Sequence, residues 1–163
     1  MSIIQKALFQ FEGSISRLQI DDKGIVLKAA FGLPPFFHEN DPARAVLAAL
    51  QIQDSLATVS IACNIGIYTG NIFCGMVGND KRCEYTTVGA EVNLAARLMQ
   101  SAGAFGGILC DEGTHKSSHT STAGQAVFDG PFSGAIRIFA SGKPQLLPLT
   151  GVPCCVLDHV KSR

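Results

Sequence analysis

Charge of either sign is scarce. Of 163 residues, thirteen are Lys or Arg and thirteen are Asp or Glu, so charged side chains make up 16% and the formal net charge is zero. A chain so balanced has no overall positive field with which to attract nucleic acid. No unbroken apolar run approaches the ~18–20 residues of a membrane span, although 47% of the residues are hydrophobic. That apolar fraction builds a core instead, and this length suits one domain around one substantial core. It also excludes disorder, because burial on this scale offsets the ordering entropy. The start, MSIIQKALFQFEG, has no basic lead followed by a long apolar stretch and no small-residue cleavage site, so no secretory signal is read. Repeats and low-complexity stretches are absent as well.

Six cysteines occur, at Cys63, Cys74, Cys83, Cys110, Cys154 and Cys155, but none forms a C-x-x-C pair. No His cluster completes a zinc set, so no structural metal site is expected. Cys63, Cys74 and Cys110 lie in strand-like apolar runs, where a reduced thiol serves as a small hydrophobe. That usage fits a reducing compartment and a cytoplasmic location.

Periodicity places the elements. Ile3, Ile4, Ala7, Leu8 and Phe11 share one helical face, and Gly13 ends the pattern. Ser14–Ile20 and residues 25–31 read as a hairpin with Asp21, Asp22, Lys23 and Gly24 at its tip. After a loop broken by Pro34 and Pro35, in which His38 and Glu39 are expected to be solvated, Asp41 is the expected N-cap of a helix with Pro42 at its first position. The buried stripe of that helix is Ala45, Val46, Ala49, Leu50, Ile52 and Leu56. Two strands follow around Thr69-Gly70-Asn71, then a short strand Glu84–Val88 and a helix opened by Gly89. A strand GILC, a short helix from Asp111 or Glu112, a polar loop holding His115 and His119, and the last strands complete the chain. Residues 1–150 are assigned to one domain and 151–163 to a C-terminal tail. The expected fold is α+β, a ferredoxin-like βαββαβ sheet with helices on one face, lacking its first strand.

Chemistry concentrates between Gly66 and Met99. Asn93 and Arg97 are i, i+4 neighbours on a helix, with Cβ atoms about 5–6 Å apart, while Val92, Ala95, Ala96 and Met99 form the packed face. An amide and a guanidinium so placed make a compact donor set for a phosphate. The spacing alone also suits a capping Asn and a surface Arg.

The run RxxYTxxGxxVNLAARL, with Arg82, Tyr85, Thr86, Gly89, Asn93 and Arg97, resembles the signature of class III nucleotidyl cyclases. GIYTGNIFCGMVGN resembles their central hairpin, and residues 29–50 resemble their third strand and following helix. The resemblance runs from about Ser2 to about Leu149, and the DDKG hairpin with its FGLP strand end looks most like the second cyclase domain of soluble adenylyl cyclases. It implies cyclisation of a nucleoside triphosphate by attack of the ribose 3′-oxygen on the α-phosphorus, with release of pyrophosphate. By motif position Asn93 orients the ribose and Arg97 neutralises charge at the α-phosphate. Thr86, with Thr87 beside it, stands at the purine-selecting position and favours ATP over GTP. Arg17 stands where the family has a base-reading Lys, and the two side chains are not interchangeable.

Family members use two divalent metals, Mg2+ or Mn2+, held by two aspartates. The strand that carries one of these precedes the region matched here, and the DDKG turn replaces the other, with Asp21 and Asp22 read as solvated. No metal ligand is therefore assigned to this chain. The metals are expected from another cyclase domain in a head-to-tail dimer, to which this chain would contribute Asn93, Arg97, Thr86, Thr87 and Arg17. Arg137 and Lys143 are weaker candidates for a phosphate cation, and Tyr85 is expected to be packed. A non-catalytic dimerisation or regulatory domain and a guanylyl cyclase are the alternatives.

Overall fold

The computed structural model describes residues 2–21, 24–105, 107–118, 126–132, 135–140 and 154–162, the last three segments, Asp21 and Phe105 as backbone. Their elements are α1 (Ser2–Gln10), β1 (Ser14–Asp21), β2 (Gly24–Ala30), α2 (Asp41–Ala57), β3 (Ile61–Tyr68), β4 (Phe73–Asn79), β5 (Arg82–Val88), α3 (Ala90–Phe105), β6 (Ile108–Cys110), α4 (Glu112–Ser118), β7 (Ala126–Phe132), β8 (Ala135–Ala140) and β9 (Cys154–Ser162). Seven strands form one sheet in the order β1-β2-β9-β3-β6-β8-β7, and β4 with β5 forms a separate two-stranded sheet. The α+β, ferredoxin-like reading stands.

Strand alternation decides what each face of the large sheet receives. On β3, Ile65 and Ile67 are fully buried in a cluster with Leu27 and Ala29 of β2, Ala7 and Leu8 of α1, and Val46, Ala49 and Ile52 of α2. The residue between them, Gly66, points the other way, toward α3. A Cβ there would run into the Ala95 carbonyl oxygen and the Met99 nitrogen, so helix and strand meet backbone to backbone. Ala95 and Met99 are buried at this contact, with Val26, Tyr68, Val92 and Ala96 around them. The sheet therefore carries α1 and α2 on one face and α3 on the other, which corrects the expectation of helices on a single face. The period-two pattern of Ile65, Gly66 and Ile67 supplies two packing surfaces rather than one.

Residues 154–162, assigned on sequence to the tail, form β9 in the middle of the large sheet. β9 runs antiparallel to both β2 and β3, pairing Leu157 with Leu27 on one side and with Ile65 on the other. A ferredoxin-like sheet lodges its first strand in that slot and in that direction; here β9 holds it.

Three local expectations also change. Asn40 is the N-cap of α2, and Asp41 begins the helix with Pro42 in its first turn; the Asp41 carboxylate instead accepts the His38 backbone N–H at 2.8 Å. His38 is held rather than solvated, with its Nε2 3.1 Å from Glu12 and its Nδ1 3.5 Å from Asp41. The expected buried stripe of α2 is buried throughout. His115, expected in a loop, is buried on α4; His119 lies outside the described residues, as do Asp22 and Lys23.

At the other end of β3, Asp111 ties three elements together. Its Oδ1 accepts the Thr69 N–H at 3.2 Å and the Thr114 hydroxyl at 2.7 Å, and its Oδ2 accepts the Gly113 N–H at 2.8 Å. Burial pushes its carboxyl up to about 7, against the opposing pull of the Thr114 and Thr69 hydrogen bonds.

A raised folded-state value means the native protein binds more protons than the unfolded chain between the ordinary carboxylate range and neutrality. Stability should accordingly be greatest in acid and fall as pH rises toward about 7, then level off. Asp111→Asn, followed by urea titration across that range, should remove this slope. Separately, Gly66→Ala should cost about 1–3 kcal/mol, the usual scale of overpacking, read as a lower urea midpoint.

Candidate active site

The face of the β1–β2 hairpin that looks toward α3 carries Arg17, Gln19, Val26 and Lys28. Arg17 and Lys28 are direct partners in register, as are Gln19 and Val26, so all four project from one side. With Val92, Asn93 and Ala96 of α3 they line a cavity of about 150 Å³. Asn93 reaches this wall because Ala95 and Met99, on the adjacent helical face, are pinned against Gly66.

Arg97 is exposed and is not among the lining residues. The helical spacing brings it to the same face as Asn93, but one turn is about 5.4 Å along the axis, enough to carry it past the rim. Asn93 and Arg97 are both exposed; Asn93 lines the cavity with Arg17, and Arg97 does not.

Thr86 and Thr87 are separated by the same alternation. Thr86 pairs with Gly75 and Thr87 with Cys74 across the β4–β5 ladder, which puts their side chains on opposite faces. Thr87 is buried, its hydroxyl 3.2 Å from that of Ser16 on β1. Its carbonyl accepts a hydrogen bond from the Lys28 ammonium at 3.0 Å. These bonds tie the small sheet to the large one. Lys28 had escaped the sequence reading, yet a signal was present: a lone cation between Leu27 and Ala29 in an otherwise apolar strand marks the opposite face.

The rest of the β4–β5 pair stands open. Phe73, Met76, Val77, Tyr85 and Val88 are all exposed. Tyr85, expected to be packed, hydrogen-bonds Cys74 at this surface, which raises its ionisation above the ordinary phenol range. A larger cavity, of about 360 Å³, lies between Tyr85 and the segments around Ser16 and Pro34, but it has no charged lining residue.

Among the described residues no three His, Cys, Asp or Glu side chains come together as a metal site. The side chains of Asp21 and Asp22 lie outside the described residues, and no step below is derived through a metal. Of the weaker phosphate candidates, Arg137 is described as backbone in β8 and Lys143 lies outside the described residues.

The sequence pattern of the Adenylate and Guanylate cyclase catalytic domain matches residues 28–134. The chain belongs to this family. It is 35% identical to human adenylate cyclase type 10 over 119 residues, which is 71% of the chain, and 34% identical to the rabbit (Oryctolagus cuniculus) protein over the same length. The match spans 7% of the length of these relatives. In structure, this cyclase domain resembles the guanylyl cyclase Cya2, with a TM-score of 0.66 and 24% identity over 90% of this chain and 79% of that one. It also resembles the adenylyl cyclase CyaB from P. aeruginosa, with a TM-score of 0.61 and 22% identity over 98% of this chain and 78% of that one. These structural likenesses carry the fold. No helix of the described residues is long and apolar enough to cross a membrane.

Because the Lys28 bond holds the Thr87 backbone independently of the hydroxyl, Thr87→Val should fold and keep the two sheets together. It should cost about 1 kcal/mol, the ordinary worth of one such hydrogen bond, measured by thermal unfolding.

Proposed function

We propose that this domain supplies the transition-state half of an adenylyl cyclase site, forming cAMP and pyrophosphate from ATP, and that another cyclase domain supplies the rest. In this reading Asn93 orients the ribose as its 3′-oxygen attacks the α-phosphorus. As the bond to pyrophosphate breaks, the Arg97 guanidinium stabilises charge building on the phosphate oxygens. Thr86, supported by Thr87 and Arg17, sits at the base end. The carboxylates for Mg2+ or Mn2+ come from the partner domain. The setting is a cytoplasmic head-to-tail dimer serving intracellular cyclic-nucleotide signalling.

The observation that carries this reading is the openness of the site. Asn93 lines a cavity flanked by cations while Arg97 waits outside it, an arrangement that a second protein surface completes. The exposed apolar side chains of β4 and β5 offer that surface a place to dock. A second reading, a non-catalytic regulatory cyclase-like domain, is favoured by the lack of a metal-ligand cluster among the described residues.

The deciding experiment mixes this chain with a cyclase domain that carries both metal aspartates, in manganese, and measures cAMP from ATP and cGMP from GTP. Neither component alone should be active, and the mixture should make cAMP. Arg97→Ala should lower its rate about 10²–10³-fold, the scale of removing one oxyanion donor, without shifting the melting temperature. Undiminished activity with Arg97→Ala supports the regulatory reading, and cGMP in place of cAMP supports a guanylyl cyclase. A mixture that makes neither product refutes the catalytic proposal.

A further inference from the structure

We infer that His38 is a proton-operated latch: its imidazolium pins the 33–40 loop to the end of α1 and the start of α2 at once, and loss of one ring proton lets the loop go. The inference does not depend on the nucleotide-site reading. His38 is half-buried, whereas its neighbours Phe36, Phe37, Glu39 and Asn40 are exposed. Its Nε2 lies 3.1 Å from Glu12 Oε2, just past α1, and its Nδ1 lies 3.5 Å from Asp41 Oδ1. That Nδ1 is buried and has no hydrogen-bond partner among the described residues.

The surrounding charges call for a cation at this ring. Glu12 also receives the Arg44 guanidinium, at 2.6 Å and on the same Oε2, while Arg44 directs its other described bonds to the Phe11 carbonyl and the Asn40 side chain. The Asp41 side chain is 5% exposed, and among the described residues its ion pair is with His38. A buried carboxylate is stable only beside an opposite charge. Facing the ring are thus Glu12 from the α1 end and Asp41 and Arg44 from α2, with the exposed Glu39 next to it in the loop. Two of these carboxylates lie at the ring and one guanidinium offsets only one of them, so a charged imidazole balances the cluster. A neutral imidazole has a single N–H, and one ring nitrogen must then turn a lone pair toward a carboxylate. The charged ring donates to both.

Release follows as the pH rises. A histidine ring gives its second proton to solvent between roughly pH 5 and 8, and the stabilisation present in acid is lost over that rise. The His38 backbone N–H donates to Asp41 Oδ2 at 2.8 Å, so ring and backbone let go of the same carboxylate together. In the same loop, Phe36 walls one cavity with Phe9 and Glu12, and Leu33 and Pro34 wall another with Tyr85. Opening the latch loosens both walls, and the second of them reaches the β4–β5 hairpin.

The test is nitrogen NMR of the histidine rings and hydrogen exchange of the His38 amide in the full chain, followed from about pH 6 to about pH 8. A single amide is read because the Asp111 carboxyl alters overall stability over part of this range. At the acid end both His38 ring nitrogens should carry a proton. Protection of the amide, corrected for the intrinsic pH dependence of exchange, should fall about tenfold as that proton is lost, the scale of one hydrogen bond to a charged group. His38→Gln, which cannot take a charge, should show the low protection throughout. A ring already neutral at the acid end, protection that stays constant, or a His38→Gln protein that keeps the fall overturns the proposal. The ring and amide of the unmutated chain decide the matter even if that variant does not fold.

Discussion

The site depends on how closely α3 can approach β3. At Gly66 the strand presents no side chain, and the helix backbone at Ala95 and Met99 settles directly onto it. Any larger residue would hold the helix off by roughly the thickness of a methyl group, because packed interiors yield little. This contact sets the height and rotation of α3, and with them the direction of Asn93 and Arg97. The cavity wall made by Val92, Asn93 and Ala96 is the other side of the same packing decision. A small residue on one strand thereby positions a polar amide on the helix above it.

A second constraint joins the two sheets. Among the described residues β4 and β5 form no ladder with the large sheet, so their position depends on side-chain bonds and packing. The Ser16 and Thr87 hydroxyls and the Lys28 bond to the Thr87 carbonyl supply polar ties across the gap. Their ends lie where β5 turns through Gly89 into α3, close to the base end of the proposed site. A shift of the hairpin, whether by a partner or by mutation, would move Thr86 relative to Asn93. The hairpin with the exposed apolar side chains is thus mechanically linked to the residues of the proposed site.

Much of this was legible in the sequence because the signals were local. The helical stripe of α2, the β1–β2 hairpin and the helix after Gly89 all follow from periods of 3.6 and 2. Helix spacing also brought Asn93 and Arg97 to one face. What escaped was set by non-local packing. Nothing in NIFCGMVG alone says that β4 pairs with β5 and stands apart from β3, or that Thr86 and Thr87 divide between two faces. The insertion of β9 between β2 and β3 joins residues far apart in the chain. Arg97 fell outside the cavity because shared direction on a helix does not fix depth. Lys28 was hidden by a strand whose apolar composition drew the eye to the core face.

The exposure of Arg97 has an electrostatic meaning. A guanidinium facing water interacts with a phosphate through a high dielectric, and its charge is screened within about 10 Å at ordinary salt. The same pair acts several-fold more strongly once a second surface removes the water between them. Catalysis by such a residue needs the developing charge and the cation to share a dry cleft, of which this chain would provide one wall in the proposed reading. The apolar side chains on β4 and β5 supply a reason for a partner to bind, since burying them is favourable at roughly 25 cal/mol per Å². In the proposed reading, association and transition-state stabilisation would be parts of one event: the free energy of covering the hairpin would also place Arg97 where its charge counts.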